Sequence, residues 1–259
     1  MFVALWVAPC TLRSQTQPPA TTATAQAPAP LIEVSTVKPA SPDEDVASIG
    51  PEGRRFLVQN LTVRDLIKFA YQVNVNQIVE GPKWIATDRY NIQALPVESV
   101  KFDEKTYNPE QPYEKQYKIT RELLADRFKL RFHQEQRMLP VYILTVAKGG
   151  PKLKVSDHKD AGGGCGGPPM RMQCTLKGVT LPYFTSFLGL YEAVDRPVVD
   201  KTGLAGEFDF DLKWSTGEVE ADLPTIFTAF QEQLGLKLES GRAPVDVMVI
   251  DNIGRPTEN

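Results

Sequence analysis

The hydrophobic and polar positions run through one pattern twice. Leu61, Val63, Leu66, Ile67, Phe69 and Ala70 give an extended lead-in and then apolar residues at helical spacing; Val179, Leu181, Phe184, Phe187 and Leu188 do the same. An apolar pair follows each, Ile78-Val79 and Val198-Val199, and then an alternating strand, Tyr90-Asn91-Ile92 and Phe208-Asp209-Phe210. A second helix is predicted around Leu123-Leu124 and around residues 226–230. Two strands close each copy, 128–132 with 140–143 and 234–238 with 244–247, and the polar residues 134–137 read as a hairpin connection in the first. An internal repeat constrains architecture before any other signal. The expectation is an α+β protein of two tandem βαββαββ units, residues 31–150 and 176–254, able to pack together as a pseudo-symmetric body.

Around these units the pattern weakens. Residues 31–37 read as a first strand stopped by Pro39, and residues 41–53 as a polar loop. The trio Asp43, Glu44 and Asp45 reads as solvated, since no partner ligands stand at metal-site spacing. Residues 96–118 form a charged insertion carrying Tyr107, Tyr113 and Tyr117, absent from the second copy, after which Thr120 is the predicted cap of a helix. Residues 151–175 read as a glycine-rich flexible connector centred on 162–167; no Gly-Lys-Ser/Thr follows, so it is not a phosphate-binding loop. Residues 255–259 are a polar tail.

Residues 11–30, rich in Gln, Pro, Ala and Thr, cannot bury enough apolar surface to order themselves and read as a linker. Before them, Phe2 to Pro9 is an apolar octet ending at Cys10. It is similar to the end of a secretory signal, and Val7-Ala8-Pro9-Cys10 to a lipoprotein cleavage site, although proline before the cysteine is unusual there. Cys10 is thus a weak lipidation candidate, the bland alternative being a short apolar tag. The expectation is an exported chain, periplasmic or at the cell surface, with an N-terminal lipid anchor as a minority option.

Composition removes several function classes. A net charge of -3 leaves no clustered basic face for nucleic acid. No apolar run of about 18 residues is present for a membrane-crossing helix. The two histidines, His133 and His158, stand in no zinc-protease frame, and no Gly-x-Ser-x-Gly elbow occurs. Cys165 and Cys174 lie where neither a helix nor a histidine would activate a thiolate. In an oxidising compartment they are candidates for a disulfide closing a small loop; otherwise they are two free thiols. Asp209 and Asp211 alternate with Phe208, Phe210 and Leu212, which makes them a solvent face before a metal site. No catalytic, cofactor or metal-binding residue is predicted. Trp84 either packs on the core or stacks on a ligand. The sheet edges, and the aromatic groups near Trp84 and near Tyr107, Tyr113 and Tyr117, are weak candidate interaction surfaces.

Five segments carry a resemblance. They are Ile32-Glu33-Val34-Ser35-Thr36-Val37-Lys38-Pro39, Leu61-Thr62-Val63-Arg64-Asp65-Leu66-Ile67, Gly81-Pro82-Lys83-Trp84-Ile85, Leu124-Ala125-Asp126-Arg127-Phe128 and Val199-Asp200-Lys201-Thr202-Gly203-Leu204. Together they resemble DUF3738, a family of unknown function abundant in soil Acidobacteria. The resemblance implies export, and a sensory or binding role through relatives fused behind membrane metallopeptidases of the beta-lactam-sensor type. It implies no catalytic residue. A remoter likeness, clearest over residues 223–238 and 245–250, is to the short N-terminal domain of secretins and TonB-dependent receptors. It implies protein binding in the envelope, but fold alone does not give function. The expected function is a non-catalytic protein-binding or sensory module with an envelope protein partner. The alternative is a small-ligand receptor or hydrolase-like enzyme using a groove between the two units. Aromatics clustered on a flat face would favour the first, and a deep pocket between the units with convergent Asp and Arg the second.

Overall fold

The structure is a computed structural model that describes residues 29–98, 113–157, 162–167, 171–190, 193–217 and 223–257. In chain order its elements are β1 (Ile32–Pro39), β2 (Ser48–Glu52), β3 (Arg55–Thr62), α1 (Val63–Tyr71), β4 (Ile78–Val79), β5 (Arg89–Pro96), α2 (Glu114–Arg127) and β6 (Arg131–Val146). They continue with β7 (Lys154–Val155), β8 (Gly162–Gly166), β9 (Arg171–Thr180), α3 (Leu181–Leu190), β10 (Val198–Asp200), β11 (Glu207–Ser215), α4 (Ile226–Ala229) and β12 (Leu236–Asn252). Among the described residues the fold is α+β, in three four-stranded sheets with orders β1-β5-β3-β2, β10-β6-β12-β4 and β7-β11-β9-β8. The third sheet repeats the order of the first, six strands later.

The amphipathic stripes form helices for local reasons. Thr62 caps α1: its hydroxyl accepts from the Asp65 N–H at 3.1 Å, while the Asp65 carboxylate accepts from the Thr62 N–H at 3.2 Å. Just upstream, β3 carries a bulge at Asn60, where φ is 50°, and β9 carries one at Gly178, where φ is 62°. The side chain of the facing strand closes each. Asn91 Oδ1 accepts from the Asn60 N–H at 2.8 Å, and Asp209 Oδ1 accepts from the Gly178 N–H at 3.4 Å. The extra residue re-aims the chain from strand into helix.

The long strands correct the expected hairpins. Residues 134–137 are not a connection but the middle of β6, which pairs antiparallel with β12 from Leu236 opposite Val146 to Asn252 opposite Arg131. This middle stretch of β6 has no residue with less than intermediate exposure, so no apolar face betrays it as a strand. The four short closing strands are therefore two long ones, and each serves both halves. Phe132 packs on one core and Leu144 lies in the other; Leu236 lies in the second core while Met248 and Ile250 complete the first. The short strands cross over as well: β4 runs parallel to β12 and β10 parallel to β6. The units at 31–150 and 176–254 are interlocked.

Three further expectations change. Residues 41–53 hold an edge strand, β2, whose Gly50 and Pro51 hide its pattern. The glycine run is also strand: β8 pairs with β9, and the connector at 151–175 thus contains β7, β8 and the start of β9. Thr120 is no cap. Helix α2 begins at Glu114, and buried Thr120 donates its hydroxyl to the Gln116 carbonyl within it. Among the described residues no helix is long and apolar enough to cross a membrane.

Candidate functional site

A cleft of about 780 Å³ lies where α1, α2, β2 and β3 meet β8 and α3. From the first half come Ile49, Pro51, Leu61, Phe69, Tyr113 and Tyr117, together with Asp65, Lys68 and Arg89; Gly163 and Phe187 come from the second. Its size suits a drug-sized ligand. Phe69 of α1 and Phe187 of α3, each three residues after a buried apolar residue, Leu66 and Phe184, both line the cavity.

Packing fixes the aromatic wall. Tyr117 meets Phe69 edge-on at 5.0 Å and Tyr113 at 6.3 Å, its hydroxyl lies 3.5 Å from that of Tyr183, and the Tyr183 and Phe187 rings are 5.7 Å apart. These rings join the halves at their apolar seam. Tyr113 closes one side, donating its hydroxyl to the Gly163 carbonyl at 2.7 Å.

Three charged side chains line the cleft. Lys68 is 3% exposed and pairs with Asp65 at 3.7 Å. Arg89 is exposed and, among the described residues, makes one hydrogen bond, from Nη1 to the Asn60 carbonyl at 2.7 Å. With the Asp65–Lys68 pair self-compensated, the cleft carries the surplus positive charge of Arg89. The β2 rim is held through Glu44. Its carboxylate accepts from the Ser41 N–H and from Asn91 Nδ2, and its carbonyl accepts from Asn60 Nδ2. The Ser41 and Asn91 hydrogen bonds hold the Glu44 carboxyl below its ordinary value.

The candidate surface residues part company. Tyr113 and Tyr117 line the cleft, but Tyr117 is 1% exposed and acts as wall, not as docking surface. Trp84 is half-buried against the first core away from the cleft, under the Arg255 guanidinium at 5.0 Å. Trp84 and the tyrosines thus lie on separate parts of the first half, Tyr113 half-buried and Tyr117 buried. Tyr107 and Cys10 lie outside the described residues. Cys165 and Cys174 form a disulfide directly across β8 and β9. It closes the expected small loop, and it does so by pinning strand to strand.

Asp209 and Asp211 are not paired with each other. Burial raises the Asp209 carboxyl, but hydrogen bonds from Ser156, Lys154 and Gly178 outweigh it and hold the group below its ordinary value. Asp211 accepts from Gln173 at 3.1 Å. Among the described residues, no group of three or more His, Cys, Asp or Glu side chains is placed to hold a metal ion. Sequence reasoning missed Lys68, Arg89 and Gly163. The signal available was the repeated phenylalanine, Phe69 and Phe187, which marked a position shared by both helices.

The fold and site define an α+β protein of two interlocked halves with a mixed aromatic and charged cleft at their seam. Residues 64–253 match the family model described as a protein of unknown function, DUF3738. The chain belongs to that family. No curated protein and no solved structure matches it.

Proposed function

We propose that the chain is a non-catalytic binding module, exported to the bacterial envelope, whose ligand lodges in the cleft between its halves. The cleft itself carries this reading: it draws a phenylalanine from each half and adds an arginine that, among the described residues, makes one side-chain hydrogen bond. Such a site recognises an apolar group and a polar one together, as binding clefts commonly do. The groove is favoured over a flat aromatic face because Tyr117 is buried and Trp84 stands elsewhere.

We read the halves as duplicated βαββαββ units that have exchanged strands about a pseudo-two-fold axis. The matching strand orders support this, as do the bulges at Asn60 and Gly178 and the left-handed residues Lys129 and Gly235 that precede β6 and β12. A binding site at such a seam is sensitive to the relative placement of the halves, which suits a sensory role.

Nuclear magnetic resonance of the isotopically labelled full chain tests the cleft, using a library of aromatic acids, amino acids and dipeptides. Shifts concentrated at Phe69, Arg89, Tyr113 and Phe187 are expected. Shifts scattered over the surface, or none, overturn the reading.

A further inference from the structure

We propose that the ligand is a short extended peptide that adds a strand to the outer edge of β2 and presents a carboxylate to Arg89. The inference rests on the binding role argued above and names the ligand class.

The register of the first hairpin determines what β2 offers. Glu52 faces Arg55 across the two-residue turn Gly53-Arg54. In such a turn the closing residues form a hydrogen-bonded pair, and bonding alternates from there. Glu52, Gly50 and Ser48 therefore turn their backbone groups inward to β3, while Ile49 and Pro51 turn theirs outward. Ile49 offers an N–H and a carbonyl; Pro51 offers a carbonyl only, the one arrangement in which proline costs a strand no ladder bond. Among the described residues β2 is the last strand of its sheet, and these groups meet no further strand.

The cleft reaches β2 at the start of the strand. Its lining includes the consecutive residues Ala47, Ser48 and Ile49. Within β2 it meets Ser48, Ile49 and Pro51, and it extends to Leu61 of β3 and Arg89 of β5, so it borders the start of the edge strand. Across the cleft lies Gly163 of a second edge strand, β8, which bears no side chain larger than cysteine. The slot thus has the edge strand β2 along one wall, the glycine backbone of β8 opposite and aromatic rings between. A peptide adding to a sheet edge uses main-chain bonds for affinity and alternate side chains for specificity. Here the alternate side chains would meet Phe69 and Phe187, with the surplus charge of Arg89 selecting an acid.

Selection of random heptapeptides on the full chain, followed by titration of the synthetic consensus, tests the proposal. The consensus should carry an apolar residue and a carboxylate, from Asp, Glu or the C-terminus. Replacing that carboxylate by its amide should weaken binding roughly tenfold, as loss of a charge-assisted bond does. Arg89→Gln should cost as much, and the two changes together little more than either. N-methylation of the peptide amide that faces β2 should abolish binding, and the Ile49 amide should become protected from exchange in the complex. Binding indifferent to Arg89→Gln, or to N-methylation at every position, overturns the proposal. If no peptide is selected but small acids shift the cleft resonances, the peptide assignment falls and the cleft reading stands. If neither binds, both fall.

Discussion

The Tyr113 hydroxyl donates to the Gly163 carbonyl at 2.7 Å, tying the N-cap of helix α2 in the first half to a strand of the second that is glycine at every position but Cys165. It is the polar latch of the cleft, beside the aromatic seam. Tyr113→Phe keeps the ring and removes the bond. The expected loss is about 1 kcal/mol, with faster amide exchange confined to β8 and no change in the cores. Gly163→Ala is expected to cost more. Its φ is 124°, and a Cβ there would overlap the Thr175 carbonyl, so β8 must move off β9. Unaltered β8 exchange in both variants would show that the latch does not hold the strand.

The Cys165–Cys174 disulfide fixes the same strand from its other side, with Cys174 fully buried. Closing so short a loop stabilises by about 2–3 kcal/mol in the chain-entropy account. The double variant Cys165→Ser with Cys174→Ser is expected to lower Tm by several degrees and expose the β8 amides. Denatured, unreduced full-length protein should titrate one thiol of its three cysteines, that of Cys10. A count of three under oxidising conditions would contradict the bridge.

Acid should loosen the rim of the cleft. The folded Glu44 carboxyl is depressed by the Ser41 N–H and Asn91 hydrogen bonds, and that of Asp209 is depressed by Ser156, Lys154 and Gly178 against the effect of burial. A depressed folded value means the stabilisation is complete above the unfolded carboxylate range, near pH 4, and is lost as pH falls through the folded value. Amide exchange at Ser41 and along β2 is expected to accelerate below that range. In Glu44→Ala it should be fast at neutral pH already, with the acid step gone.

The crossed strands predict one cooperative unfolding transition. Leu144 lies in β6 of the first half yet fills the second core, and Met248 of β12 fills the first. Leu144→Ala is expected to cost about 2–5 kcal/mol and to shift a single transition monitored by circular dichroism and by Trp214 fluorescence together. A fragment of residues 31–150 lacks β12 and should fail to fold alone. Two separable transitions would contradict interlocking.

Capping supplies a control confined to the first half. Thr62→Ala removes the acceptor for the Asp65 N–H. It should cost about 1 kcal/mol in urea unfolding, with the second core's side-chain resonances unmoved.

The sequence by itself determined the helices and most strands, because their signals are local. Helical spacing in residues 61–70 and 179–188, the Thr62 cap and the alternation at Phe208-Asp209-Phe210 need no distant partner to be legible. It also placed Cys165 and Cys174 together and carried the family resemblance. The tertiary structure alone decided what pairs with what. Residues 134–137 look like a turn because the middle of β6 has no buried face; only pairing with β12, more than a hundred positions away, makes them strand. Glycines 162–167 carry no side-chain pattern, so β9 had to define β8. The cleft belongs to this second class. Phe69, Arg89, Gly163 and Phe187 are scattered along the chain and become one site because the halves trade strands and bring their helices to a common seam.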